Sequence, residues 1–155
     1  MAETVLYKIA LNKAMNQCSR REYCSDEIRR KLLAWNVENS EAEKILSILY
    51  KENYINDLRY AKAFVRDKFN LNKWGKVKLS VYLRKKNIPA NIIRLAIDSI
   101  DNEAYLRLLK NLIADHRKSV KAKNQFEMKA KLLRYGLSKG FESSLLYDLL
   151  NEIDD

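Results

Sequence analysis

The chain has 155 residues, 30 of them lysine or arginine against 20 aspartate or glutamate, for a formal net charge of +10, and it holds only 3 glycines and 1 proline. So few chain breakers exclude a turn-rich β protein, and a chain this long buries roughly 70% of the surface its unfolded form exposes, so a core needs no metal or disulfide. The apolar runs fall far short of a membrane span.

The periodicity predicts nine helices. The first three are Thr4–Ser19, Ser25–Trp35 and Ser40–Glu52. Ser25 followed by Asp26 and Glu27 reads as an N-cap with acid in the first turn, and Ser40 with Glu43 three residues on reads as a capping box. Next come Asn56–Asn70, Gly75–Lys86 and Pro89–Ile100, with a turn expected over Asn70–Trp74 and Pro89 fixing φ where a helix can begin. The last three are Asn102–Val120, Asn124–Lys139 and Glu142–Ile153.

Helix ends recur. Asn36-Val37, Asn87-Ile88 and Gly140-Phe141 lie 51 and 53 residues apart. Asparagine and glycine both accept the positive φ on which helices commonly stop, and the apolar residue beyond folds back onto the last turn. Sliding the chain by the same steps superposes apolar positions: Ile28, Leu79 and Leu132; Ala42, Ile93 and Leu146; Ile45, Ala96 and Leu149; Leu46, Ile97 and Leu150; Leu49, Ile100 and Ile153. Their spacing of three and four residues marks one helical face. The expected fold is all-α: three tandem three-helix repeats, at 1–53, 54–101 and 102–155, forming an elongated, curved array on the order of 60–70 Å long and one continuous structural domain.

Charge is segregated. Between Leu58 and Lys86 stand ten basic residues (Arg59, Lys62, Arg66, Lys68, Lys73, Lys76, Lys78, Arg84, Lys85 and Lys86) against Asp67 alone. Arg117–Lys139 carries eight, including Lys129 and Arg134, against Glu127. The balancing acid lies in the first repeat, the third helices and Glu152, Asp154 and Asp155. Such a face attracts a phosphate backbone or an acidic protein surface. Trp74, inside Asn72-Lys73-Trp74-Gly75-Lys76, either plugs a helix junction while staying partly exposed, the favoured reading, or stacks on bases. Tyr82 and Tyr135 fall at matching repeat positions and read as packing residues.

No catalytic, cofactor or metal constellation emerges. His116 is the one histidine, set between Asp115 and Arg117 as a surface or cap residue. There is no glycine-rich phosphate loop, serine elbow or His-Glu metal pattern, and Asp57 and Asp67 do not form an acid pair. Cys18 and Cys24 lack zinc or disulfide-framework spacing. Met1-Ala2-Glu3-Thr4 has neither the basic start nor the cleavage site of a secretory signal. Reduced thiols in a cytoplasmic, monomeric, non-enzymatic protein are expected.

The run Tyr54-Ile55-Asn56-Asp57-Leu58-Arg59-Tyr60-Ala61-Lys62-Ala63-Phe64-Val65-Arg66-Asp67 resembles the hallmark segment of the RecX family of recombination regulators. Ser25-Asp26-Glu27-Ile28-Arg29-Arg30-Lys31-Leu32 is similar to that family's first repeat. Lys78-Leu79 to Leu83-Arg84-Lys85-Lys86-Asn87-Ile88 is similar to the second, and Lys131-Leu132-Leu133-Arg134-Tyr135 to Lys139-Gly140-Phe141 to the third. Asn36 and Asn87 replace the family's frequent glycine, and Gly136 replaces an apolar core residue. The resemblance implies a modulator of the RecA recombinase in recombination, DNA repair and the SOS response. Such a protein binds the RecA–single-stranded-DNA filament and limits its extension or activity, without a cofactor. Arg59, Arg66, Lys68, Lys73, Trp74, Lys76, Lys78, Arg84, Lys85, Lys86, Lys129 and Arg134 are the residues expected to meet the filament or single- or double-stranded DNA. Two alternatives stay open: a direct DNA-binding helical module, either transcription factor or architectural protein, and a protein scaffold with no DNA role.

Overall fold

The structure, a computed structural model, describes residues 4–153. Met1–Glu3, Asp154 and Asp155, which entered the sequence reading as the chain start and the terminal acid, lie outside the described residues, as does the side chain of Ile153. Among the described residues there are nine α-helices and no strand: α1 Val5–Cys18, α2 Ser25–Ala34, α3 Asn39–Lys51, α4 Asp57–Asp67, α5 Lys76–Lys85, α6 Ala90–Asp98, α7 Asn102–Arg117, α8 Gln125–Ser138 and α9 Ser143–Ile153. A π-turn, Lys68–Asn72, continues α4. The helix expected to end at Asn70 therefore ends in a wider turn, closed by Lys73 at a left-handed φ of 59°.

The three repeated junctions are one device. Asn36, Asn87 and Gly140 take φ of 66°, 58° and 91°. At each, the residue's own N–H donates three residues back (Leu33, Arg84, Leu137) and the next N–H donates five back (Leu32, Leu83, Gly136). These paired bonds satisfy carbonyls that a helix end otherwise leaves open. Val37, Ile88 and Phe141 then bury themselves against the helices they follow. Asn53-Tyr54 closes α3 in the same way, with Asn53 at φ 65° and Tyr54 N donating to the Leu49 carbonyl at 2.8 Å. This fourth instance carries the same asparagine-then-apolar signature but falls outside the 51-residue step.

Helix starts correct the sequence in two places. Cys24, not Ser25, holds the N-cap position of α2, and Glu27 accepts the Cys24 N–H at 3.1 Å. Ser25 is drawn instead to Asp57, which accepts its N–H and its hydroxyl, both at 2.8 Å. A buried carboxylate from α4 thus caps α2, where the helix dipole favours negative charge. Ser40 forms no capping box: α3 begins at Asn39 behind Glu38, and Glu43 reaches Arg29 at 2.8 Å. Side chains cap two helices at the residues where the sequence placed their first positions: Thr4 accepts from Tyr7 N at 2.9 Å, and Asn124 accepts from Glu127 N at 2.8 Å.

The chain divides into two compact units. One runs to Phe64 and takes in Leu83–Leu95; the other holds Val65–Tyr82 and the described residues from Ala96 onward. Helices α4, α5 and α6 have residues in both. The first unit's core joins Tyr7, Ala10, Ala14 and Cys18 of α1 to Ile28 and Leu32 of α2 and Ala42, Ile45, Leu46 and Leu49 of α3. Small residues along α1 let its neighbours approach closely. A polar network sits in the same unit: Asn87 donates to Asp26 at 2.9 Å, Arg30 pairs with Asp26 at 3.0 Å, and Lys86 pairs with Glu27 at 3.2 Å. Cys18 and Cys24 are free and buried, and burial pushes the Cys24 thiol up to about 12. It is therefore inert as a nucleophile at neutral pH.

The second unit's core is Tyr105, Leu109 and Ile113 of α7, Leu132 of α8, and Phe141, Leu146 and Leu150. Gly136 belongs here for a steric reason: a Cβ on it would lie 2.3 Å from a methyl of Leu146. The apolar atoms missing from position 136 are supplied by Leu146.

Asn36 is exposed and needed for its backbone alone. Asn36→Gly should hold stability within about 0.5 kcal/mol of the parent, whereas Asn36→Val should cost about 1–2 kcal/mol because a β-branched residue resists positive φ. Urea denaturation monitored by helical circular dichroism measures both.

Candidate interface around Trp74

Two basic stretches far apart in sequence meet inside the second unit, and backbone contact joins them. Gly75 lies directly on Gly140: its N–H donates to the Lys139 carbonyl at 2.7 Å, and the Val77 N–H donates to the Gly140 carbonyl at 2.9 Å. A Cβ on Gly75 would sit 2.4 Å from the Gly140 carbonyl oxygen, and one on Gly140 would sit 2.2 Å from Lys78 Cβ. Only glycine fits at either place. The first N–H groups of α5 thereby meet the last carbonyls of α8, positive helix end to negative helix end. Lys76 N–H completes the start of α5 by donating to the buried Tyr105 hydroxyl at 2.9 Å, and that hydroxyl donates to Glu142. Burial, then the bond to Glu142, holds the Tyr105 phenol well above its ordinary range, so it remains a neutral donor.

This clasp places Lys73, Trp74, Lys76 and Lys78 beside Lys139. The half-buried Trp74 ring packs tilted against Tyr82, with centroids 4.6 Å apart. The Lys78 and Lys68 ammonium groups stand over its indole at 4.7 and 5.2 Å. Lys139 donates to the Asn72 carbonyl at 2.8 Å and Lys78 to the Ser138 carbonyl at 3.5 Å. Carbonyl dipoles, not carboxylates, anchor these two ammonium groups. The Lys139 ammonium is pulled below its usual pKa, first by burial and then by Lys78 and Lys73. Lys73 itself holds a left-handed φ, which glycine adopts for want of a Cβ and asparagine tolerates better than lysine does. Like charges gathered in this way cost energy that a bound anion returns. A flat half-exposed indole in the same cluster offers a stacking surface.

The other predicted residues are dispersed. In the second unit, Arg66 is exposed and pairs with Asp67 at 3.4 Å, Arg134 is exposed on α8, and Lys129 is half-buried there. In the first unit, Arg84 and Lys85 are exposed in the last turn of α5, and Lys86 pairs with Glu27. Arg59 is tied down, its Nε on Glu22 at 2.7 Å and its guanidinium on the Asn53 and Tyr54 carbonyls that end α3. Sequence reasoning missed Lys139 and the cation-bearing partnership of Trp74 with Tyr82. Lys139 was visible as the last basic residue before the third junction, at the repeat position of Lys86. Tyr82 and Tyr135, matched by the repeat, have diverged: Tyr135 stacks face to face on His116, centroids 3.7 Å apart.

Among the described residues, no group of three His, Cys, Asp or Glu side chains could hold a metal ion, and no helix is long and apolar enough to cross a membrane.

A family profile described as the second three-helix domain of RecX matches residues 56–97, and one described as the first three-helix domain of RecX matches 10–49. The regulatory protein RecX of Prosthecochloris aestuarii is 31% identical over 145 residues, covering 93% of this chain and 93% of that protein. Its counterpart in Clostridium acetobutylicum is 28% identical over 151 residues, covering 95% of this chain and 70% of that protein. The crystal structure of RecX from Lactobacillus salivarius superposes with a TM-score of 0.85 at 23% identity over 96% of this chain and 97% of that one, a likeness of fold.

Two outcomes test the clasp. Gly75→Ala should lower stability by about 1–3 kcal/mol through overpacking against the Gly140 backbone, measured by chemical denaturation. For Lys139, the folded pKa lies below the ordinary 10.5, so the unfolded chain binds more protons in the window just under that value and stability rises with pH through it. Lys139→Gln should flatten that rise in melting temperature and leave the variant at least as stable as the parent at pH 7.

Proposed function

This chain belongs to the RecX family, and from that premise we propose that it is a non-catalytic regulator that binds the RecA–single-stranded-DNA filament and limits its extension or activity. The relatives it matches carry the name of regulatory proteins. The observation that carries the reading is the lysine cluster around Trp74, where the second and third repeats pool their positive charge. Lysines anchored on carbonyls keep their charge available for a phosphate backbone or an acidic protein surface, and point charges of this kind bind without reading sequence. The protein acts in the cytoplasm as a monomer on this reading, in keeping with its buried, unpaired thiols.

A second reading, direct binding of single-stranded DNA, has its own support in the half-exposed indole among lysines, the arrangement on which bases stack. The two readings separate by partner. A RecA ATPase and strand-exchange assay titrated with this protein tests the first, and a gel shift with random-sequence single strands, without RecA, tests the second.

Lys73→Glu combined with Lys78→Glu should raise the concentration needed for half-maximal suppression of RecA ATPase tenfold or more while helicity is unchanged. Direct DNA binding, if it accompanies suppression, should weaken with salt at a log–log slope of about −0.7 for each phosphate neutralised. Suppression equal to that of the parent would remove the cluster from the filament contact, and no suppression by the parent itself at filament-equivalent concentration would sink the functional reading.

A further inference from the structure

The second unit carries another concave surface, built from one stripe of α7 and one of α9. On α7, Leu106, Lys110, Ile113, Ala114 and Arg117 recur at helical spacing; on α9, Leu145, Asp148, Leu149 and Glu152 do the same. The stripes enclose adjoining cavities of about 200 and 420 Å³ that share Lys110, Leu149 and Glu152. From Leu106 to Arg117 the groove is about 16 Å long, three helical turns. Its floor is aliphatic. Its α7 rim is basic and its α9 rim is acidic, and Lys110, Arg117, Asp148 and Glu152 are all exposed. Among the described residues, no ion pair engages these four side chains.

We propose that this groove is the docking site for an amphipathic helix of a partner protein, three turns long, with acidic side chains on the flank facing α7 and basic side chains on the flank facing α9. Two helices flanking an apolar floor are the seat that a third helix fills with residues at i, i+3, i+4 and i+7. The opposed rims decide the occupant's chemistry. A phosphate backbone is repelled by Asp148 and Glu152, and an anionic membrane surface meets the same barrier. A second copy offers α1, which exposes Val5, Leu6 and Ile9 but carries Lys8 and Lys13 and no acid, so it could satisfy only the α9 rim. A helix with one flank of each sign satisfies both. The site uses none of the lysines around Trp74 and stands independently of the filament reading.

The probes are three synthetic helices of about 14 residues, sharing one leucine stripe and differing in their flanks: one Glu and one Lys flank, both Glu, or both Lys. Fluorescence anisotropy of labelled peptides on the full chain should show the mixed peptide binding at least tenfold more tightly than either other, with amide shifts in nuclear magnetic resonance confined to α7 and α9. Lys110→Glu with Arg117→Glu, both at exposed positions, makes both rims acidic and should transfer the preference to the both-Lys peptide. This gain of binding cannot come from misfolding. Equal affinity for all three peptides, a preference indifferent to the rim reversal, or shifts elsewhere would overturn the proposal. So would a concentration-dependent dimer abolished by the same reversal, or a single-stranded oligonucleotide that shifts the α7 and α9 amides.

Discussion

The contact of Gly75 with Gly140 is the constraint from which the second unit's chemistry follows. Two backbones approach so closely that neither position tolerates a side chain, and the reward is a bonded meeting of the α5 start with the α8 end. Everything notable about the cluster depends on it. Lys78 reaches the Ser138 carbonyl, Lys139 reaches the Asn72 carbonyl, and Trp74 is held under two ammonium groups because the two chain segments are pinned together at this point. Two of the chain's three glycines are spent here and the third, Gly136, admits Leu146 one turn away.

The same junction geometry does different work in each copy. Asn36 ends a helix and contributes only its backbone. Asn87 ends a helix and also donates its amide to Asp26, tying the junction to the start of α2. Gly140 ends a helix and becomes half of the clasp. A repeated backbone motif thus supplies one turn, and the residue type chosen at that turn decides whether the turn is plain, bonded through a side chain, or packed against another backbone.

Charge follows a similar division. In the first unit, the cations around the start of α2 and α4 pair with carboxylates: Arg59 with Glu22, Arg29 with Glu43, Arg30 with Asp26 and Lys86 with Glu27. Around Trp74, the ammonium groups of Lys78 and Lys139 rest on carbonyls instead, and the Lys139 pKa is lowered first by burial and then by Lys78 and Lys73. Folding alone would favour fewer charges in that place. On the proposed reading, that concentration is the electrostatic cost of a surface kept ready for an anionic partner.

The sequence by itself determined the helices, their face periodicity and three of their ends, because each depends on residues within five positions of one another. It also marked the two basic stretches and Trp74. It could not assign Ser25 to Asp57, 32 residues away, in place of a cap, or show that Arg59 is consumed by Glu22 and the end of α3. Nor could it see that Lys139 joins Lys73 and Lys78, or that α7 and α9 leave a groove with rims of opposite sign. Those are decided by which helices pack together. A hydrogen bond within one turn is specified by local spacing, whereas the neighbours of a charged side chain are set by the tertiary contacts that carry distant segments to it.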